Sequence, residues 1–404
     1  MLFFIAWRNV WRQRIRSLVI IMAMIVGVWG LTLAIGFINA FTDSYLDNIV
    51  KYELAHMQVH HPKFKDDFDL KYDLKEGDVQ LDKIKQIEGV KGVTARSIVS
   101  AMISSSKTAS GVKVIGIDRK EEPTVSNVED LIIEGEYLDG KMRNPIILGE
   151  KLAEKLNVKI RSKLVLTFQN ELGDITAAAF RVNGIYKAQS PKLNEGSVFV
   201  RARDIARSIG AENKVNEVAI LLEPTANEDS VYKDVSNIYQ QYLVEKWSDI
   251  APEIEMLRSQ SKISTTILVT IFMLALVFGI VNTMLMAVLE RIRELGMLMA
   301  IGMNKIRVFS MILFETFYLG LISCPIGLFF GYLTLSYFSY NGFDLSSYAK
   351  GLEDIGYSTV VYPTLAFQQY AGLAAGIFIT ALLGAMYPAF KAIRLKPVEA
   401  LNKI

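Results

Sequence analysis

The hydrophobic pattern divides the 404-residue chain into membrane-like and water-like stretches. Apolar runs at residues 18–41, 264–289, 308–338 and 367–390 are each long enough to cross a hydrocarbon core of about 30 Å at about 1.5 Å rise per residue. Residues 42–263, between the first two runs, have ordinary soluble composition. The pattern predicts an α+β membrane protein, with four transmembrane helices and a large extracytoplasmic α/β domain of two subdomains between helices 1 and 2.

Ahead of the first run, residues 3–16 show helical periodicity. Phe3, Phe4, Trp7, Val10, Trp11 and Ile15 gather on one side, with Arg8, Asn9, Arg12, Gln13 and Arg16 opposite. Residues 1–17 therefore read either as an amphipathic helix in the cytoplasmic interface, with Arg14 snorkelling, or as a simple anchor with topogenic charges. The long first run reads as an uncleaved signal anchor.

Within 42–263, strands are expected at 54–60, at 92–105 (one or two), at 216–222 and at 244–248, with helices at 81–87 and 229–242. These two ends, 42–110 and 216–263, predict a membrane-proximal subdomain built on one sheet. The inserted distal subdomain, 111–215, reads as strands at 112–117, 146–148, 163–168, 177–186 and 198–200, a helix at 151–156 and a hairpin tip at 170–174. Helical continuations at 40–50 and 252–263 lead into the neighbouring spans.

The formal charge of +2 conceals segregation. Residues 8–16, 291–307 and 391–403 are rich in Lys and Arg, whereas the 339–366 loop carries Lys350 against Asp344, Glu353 and Asp354. By the positive-inside rule both termini, the 290–307 segment and the 391–404 tail are cytoplasmic, and the domain and the 339–366 loop are exported. The single cysteine, Cys324, lies in the third run, so the exported domain must stand on its hydrophobic core.

Catalytic motifs are missing. The chain has no G-x-x-x-x-G-K-[ST], G-x-S-x-G or H-E-x-x-H, so no catalytic residue is assigned. His56, His60 and His61 cluster, but on a strand His56 and His60 lie too far apart to share an ion easily. They read as surface or rim histidines, and neither a metal site nor a nucleic-acid partner is expected. Glu315 is the one charge within the four runs. It reads as an intramembrane functional candidate or as a structural carboxylate paired with Arg291 or Arg307. Pro325, between Gly320 and Gly327, predicts a kink, and Asn282 and Thr283 are expected to bond across helices. Such dry spans suit no polar solute path.

The most specific sequence is ERIRELGMLMAIG at 290–302, with charges first and then an apolar stripe of Leu295, Leu298, Met299 and Gly302. Its small residues Gly296, Ala300 and Gly302 would permit close approach of another surface. The segment resembles the E-R-x-R-E-[IL]-G-x-L-x-A-[IL]-G signature of FtsX/MacB-type ABC transporter permeases. The stretch YPAFKAIRLKPVEAL at 387–401 resembles their second signature, Y-P-A-x-x-A-x-x-x-x-P-x-E-A-L. The order of spans and domain also matches. The exported domain looks most like the lipoprotein-releasing LolC/LolE permeases, through HMQVH at 56–60, GID at 116–118, ILGEKLA at 147–153, Trp247 and IAPEI at 250–254.

The resemblance implies a permease subunit, not an enzyme, in a bacterial inner membrane. It would pair with a second permease, identical or not, and with two copies of a separate cytoplasmic ATPase that holds ATP and Mg; this chain itself carries no cofactor. Residues Glu290, Arg291, Arg293, Glu294, Leu295, Gly296, Leu298, Ala300 and Gly302 would dock the ATPase, flanked by Arg394, Pro397 and Glu399. The implied substrate is a lipoprotein passed among membrane lipids to a periplasmic chaperone, with the tip at 170–176 as the counterpart of a chaperone-capturing hairpin. Two other readings stay open: a MacB-like exporter of peptides, toxins or drugs with a periplasmic adaptor, and an FtsX-like regulator of a cell-wall hydrolase.

Overall fold

In the computed structural model the four apolar runs form long helices, Arg14–Ile49, Pro252–Glu290, Lys305–Asn341 and Phe367–Ile393. The structure describes residues 2–12, 14–68, 71–138, 142–169, 173–210, 214–348, 351–352 and 357–394. Two compact units divide the chain. One comprises Met1–Thr42, Leu257–Asp344 and Val360–Ile404, and the other Asp43–Met256 with Leu345–Thr359.

The helical unit packs through small residues. A Cβ on Gly327 would lie 2.8 Å from Val28, one on Gly331 2.7 Å from Thr32, and one on Gly384 3.0 Å from Ile280. Glycine at these points lets the backbones approach closely, which is how apolar helices gain contact without a hydrophobic drive between them. Pro325 lies inside the third long helix without ending it. Hydroxyls are satisfied within their own helices: Thr32 donates to Val28 O, Ser323 to Leu319 O and Thr283 to Gly279 O, each at 2.7 Å. Thr283 therefore bonds within its own helix rather than across helices as expected, since a helical hydroxyl can donate to the carbonyl four residues back.

The N-terminal helix is shorter than the expected 3–16. It spans Leu2–Arg12, and the first long helix starts at Arg14, with Gln13 outside the described residues. Ala6 and Val10 are buried, and Phe4, Trp7 and Trp11 remain exposed.

The α/β unit is organised by one long strand. We number the strands β1 (Met57–His60), β2 (Val90–Ser104), β3 (Ala109–Ile117), β4 (Ile132–Gly135), β5 (Pro145–Gly149), β6 (Lys163–Gln169), β7 (Ile175–Tyr186), β8 (Ser197–Arg201), β9 (Glu217–Leu222) and β10 (Leu243–Lys246). The order β10-β1-β9-β2 makes an antiparallel sheet covered by Leu81–Lys85 and Glu228–Ile238, whose Ile84, Val231 and Val235 share its core. The far half of β2 pairs with β3 on one side and β6 on the other. Continuing β3-β8-β5-β7-β6 returns to β2, so these strands close into a ring. Alternation fills it: Ile103, Val114, Leu148, Leu164, Leu166, Phe180 and Val200 share one buried core.

The expected subdomain boundary at 110/111 does not coincide with a break. Strand β2 is a single 15-residue strand that serves both halves, and its partner changes near Arg96. There Arg96 is buried with Glu122 and Glu217, at 2.7 Å from Glu122 Oε1 and 3.0 Å from Glu217 Oε1. The expected 339–366 loop is divided as well, since residues 345–359 join the α/β unit and Tyr357 sits 5.3 Å from Tyr45 ring to ring. Of the hairpin tip, residues 170–172 lie outside the described residues.

The histidines do separate jobs. His56 Nδ1 accepts from Leu222 N, and His61 stacks on Tyr72. His60 is buried rather than at the surface, with the Phe64 ring 6.3 Å away and Glu245 of β10 against its Nε2. His60 Nε2 and Lys65 Nζ donate to Glu245 Oε2 at 2.5 and 2.6 Å, and these bonds push the Glu245 carboxyl down to about 2 from its ordinary 4.5. A carboxyl lowered on folding stabilises the fold fully above its ordinary value, and that contribution fades as pH falls toward about 2. Charge-assisted bonds of this kind contribute about 1.5–3 kcal/mol. Glu245→Gln should therefore speed amide exchange of β1 and β10 by roughly tenfold or more at pH 7. The difference from wild type should shrink below about pH 3 in hydrogen–deuterium exchange corrected for intrinsic rates.

Candidate functional site

The segment joining the second and third long helices folds into a nine-residue helix, Ile292–Ala300, with Arg291 at its N-cap. Ile292, Leu295 and Gly296 are buried, and Leu295 shares a core with Val10, Val288, Val308 and Ala392. The helix ends where Gly302 takes φ +104°. Gly302 N donates to Met299 O and Met303 N to Leu298 O, the paired bonds of a Schellman cap that favours glycine. The next helix starts at Lys305, with the side chain of its N-cap, Asn304, accepting from Ile306 N.

Glu315 is the hub beneath this helix. Its carboxylate accepts from Asn9 Nδ2 at 2.6 Å and from Arg291 Nη1 at 3.1 Å, and both charged side chains are about nine-tenths buried. An isolated ion is expensive in apolar surroundings, so the pair and the amide together make this placement tolerable. Arg291 Nε also reaches Glu294 at 3.3 Å.

A second layer of ion pairs ties the N-terminal helix to the short helix and the first long helix to the second. Arg16 holds Glu290 in a two-pronged contact at 2.8 and 2.9 Å, and Arg12 bonds Glu294. The Arg12 bond, reinforced by Arg291, holds the Glu294 carboxyl below the ordinary carboxylate range. These pairs are partly exposed, so their worth lies in fixing register more than in net stability. Phe3 and Trp7 complete the contact, packing 5.4 and 5.1 Å from Tyr318.

The outward side of the helix is therefore a stripe of Arg293, Met297, Ala300 and Ile301. Met297 is 52% and Ile301 80% exposed, which makes them the principal apolar groups offered to a partner.

Comparison with known proteins identifies this architecture. The family model described as MacB-like periplasmic core domain matches residues 17–238, and that described as FtsX-like permease C-terminal matches residues 266–397. The chain belongs to the FtsX/MacB-type ABC transporter permeases. Lipoprotein-releasing system transmembrane protein LolE of Haemophilus influenzae is 18% identical over 79% of this chain and 79% of its own length. Macrolide export ATP-binding/permease protein MacB of Campylobacter jejuni is 21% identical over 99% of this chain and 61% of its own. ABC transporter permease YknZ of Bacillus subtilis is 26% identical over 79% of this chain and 77% of its own. The chain is thus a multi-pass membrane permease of the MacB/FtsX/LolCE type, a class that works with ATPase partners.

This permease rearranges the expected docking set. Leu295 and Gly296 are inside the bundle, so neither is a free contact point. Gly302 has open space around it and is required by its backbone angle, not by close approach. Glu290 pairs with Arg16 of the first long helix, Glu294 with Arg12 of the N-terminal helix and Arg291 with Glu315, whereas Arg293 and Ala300 are exposed and Leu298 is half-buried. Arg394 is exposed at the end of the last helix, and Pro397 and Glu399 lie outside the described residues. Arg307, the other partner weighed for Glu315, is not the one that binds it. Sequence reasoning missed Asn9, Met297 and Ile301, and it missed the pairing of Arg12 and Arg16 with Glu294 and Glu290. Arg12 and Arg16, like Glu290 and Glu294, lie four residues apart in the sequence, and this matched spacing of opposite charges was the available signal, although the members of each pair lie on successive helices.

Arg291→Leu or Glu315→Leu alone should lower unfolding stability by about 3 kcal/mol, because each leaves its partner charged and buried. The double variant should be closer to wild type, with a coupling energy of about 1–3 kcal/mol in denaturation of the detergent-solubilised protein.

Proposed function

We propose that this permease releases lipoproteins from the outer leaflet of a bacterial inner membrane, with its termini and the 290–307 segment in the cytoplasm. Two copies of a separate cytoplasmic ATPase, binding ATP and Mg, supply the energy, and a second permease completes the membrane part. The observation that carries the reading is the dryness of the spans. Glu315 is the one charge within the apolar runs, it is paired near one end of its helix, and the hydroxyls of Thr32, Thr283 and Ser323 are turned onto their own helices. Such a bundle supports handling of an amphipathic substrate rather than passage of a polar solute.

Two further features support it. An apolar groove of about 270 Å³ runs between the first and second long helices, lined by Ala23, Gly27, Phe272, Ala275, Gly279 and Thr283. A groove of this character suits an acyl chain. The LolE likeness extends over 79% of the chain.

The ATPase would grip Arg293, Met297, Ala300 and Ile301, beside the tail that carries Arg394, Pro397 and Glu399. A buried core shared by Leu295 and Ala392 supports putting the helix and the tail together. The MacB-like alternative is favoured by one observation, the MacB match over 99% of the chain.

Reconstitution in vesicles with the ATPase and any second permease distinguishes them. The leading reading expects a triacylated lipoprotein to leave the bilayer only with ATP and a periplasmic acceptor. ATP hydrolysis without lipoprotein release, and with adaptor-dependent export of a peptide or drug, would favour the MacB-like reading instead.

A further inference from the structure

We propose that the strand-ring part of the α/β unit carries a binding site for a phosphate-type dianion, held by Arg143, Arg161 and Arg181. The proposal rests on no part of the transport reading. A cavity of about 620 Å³ opens there, lined by these three arginines with Gly135, Glu136, Met142, Ile160 and Asn183. Among the described lining residues three arginines stand against one carboxylate residue, Glu136, a formal balance of +2, and all three arginines are open to solvent. Among the described residues, no carboxylate forms an ion pair with any of the three. Like charges gathered around one cavity repel, and an oxyanion with two charges is the ligand that relieves them.

The arginines are held in place by the backbone. They come from three chain segments that hydrogen bonds stitch together: Arg161 N donates to Val182 O at 2.7 Å, Val182 N to Ser162 O at 3.0 Å and Arg181 N to Asn144 O at 3.0 Å. Arg181 Nη1 also reaches Arg161 O at 3.5 Å. A fourth segment is tied in by Asn183, which is buried and donates to Glu136 O at 3.0 Å and Tyr137 O at 2.7 Å. Gly135 closes the wall so tightly that a Cβ there would lie 2.2 Å from Asn183 O.

Arg161 supplies the second, independent argument. Its φ is +71°, a conformation for which glycine is the default residue and any other side chain is strained. Asn144 beside it takes φ +48°. Strain of this kind persists where a side chain has work to do, and at Arg161 the side chain lines the cavity. Guanidinium forks match the tetrahedral oxygens of phosphate in two-pronged contacts that a lysine could not reproduce.

The conformation also provides a clean test. Arg161→Gly removes the guanidinium while relieving the backbone, so the fold should keep or raise its melting temperature. Inorganic phosphate is titrated calorimetrically into the full-length protein in detergent, with chloride holding ionic strength constant. Wild type should bind saturably, Arg161→Gly at least about tenfold more weakly, and Arg143→Gln likewise. Glycerol 3-phosphate and dihexanoyl phosphatidic acid run in parallel; tighter binding of the second would mark a lipid headgroup as the source, and equal binding a soluble phosphate. Absence of saturable phosphate binding to wild type, or equal affinity in Arg161→Gly, overturns the site. A lower melting temperature in Arg161→Gly with unchanged affinity would show that the arginine serves the fold alone.

Discussion

A carboxylate inside an apolar bundle must be compensated, and the arrangement of the candidate coupling region follows from how Glu315 meets that demand. Arg291 and Asn9 are drawn to it from two other elements, so the short helix between the second and third spans and the N-terminal helix are fixed against the same point. Arg12 of the N-terminal helix then meets Glu294 of the short helix, and Arg16 meets Glu290 where the first and second spans end. The rotation of the short helix is then decided, with Leu295 inward and Met297 and Ile301 outward. A partner that moves this outward stripe would pull on the N-terminal helix and the third span together. The buried pair thus has a role in specificity that its modest net energy would not suggest.

The α/β unit solves a comparable problem in a different way. Strand β2 belongs to an open sheet over its first half and to a closed ring over its second, and the change of partners happens at Arg96. Bidentate contact with Glu122 and a further bond to Glu217 leave no alternative register that would keep all three charges satisfied. The ring itself leaves no free edge among its members, which suits a strand-rich insertion that lacks a disulfide.

Much of this was legible in the sequence. The spans and the class of protein were carried by long apolar runs and by two signatures in the right places, and the strands expected at 163–168 and 177–186 are close to β6 and β7. What was not legible depended on distant partners. Closure of the ring needs β2 to meet β6 some sixty residues away (Met102 opposite Thr167), and no local pattern encodes that pairing. The short helix is apolar around much of its circumference, so its inward side could be known only once Glu315 and the N-terminal helix were in place. Gly296 and Gly302 looked alike as small residues, yet one is packed inside and the other caps a helix. Gly302 as a helix stop, followed at Asn304 by an N-cap residue for the next helix, was the signal that was available and went unused.

The central claim is that a motor subunit grips the outward stripe of the Ile292–Ala300 helix and the residues just after it. Photo-crosslinking from a benzoylphenylalanine at position 301, in membranes containing the complete complex, tests it most directly. The account predicts a crosslink to the ATPase from position 301 and none from position 295, which faces the bundle core. A crosslink from 295 with none from 301, or no ATPase adduct at either position, would contradict it.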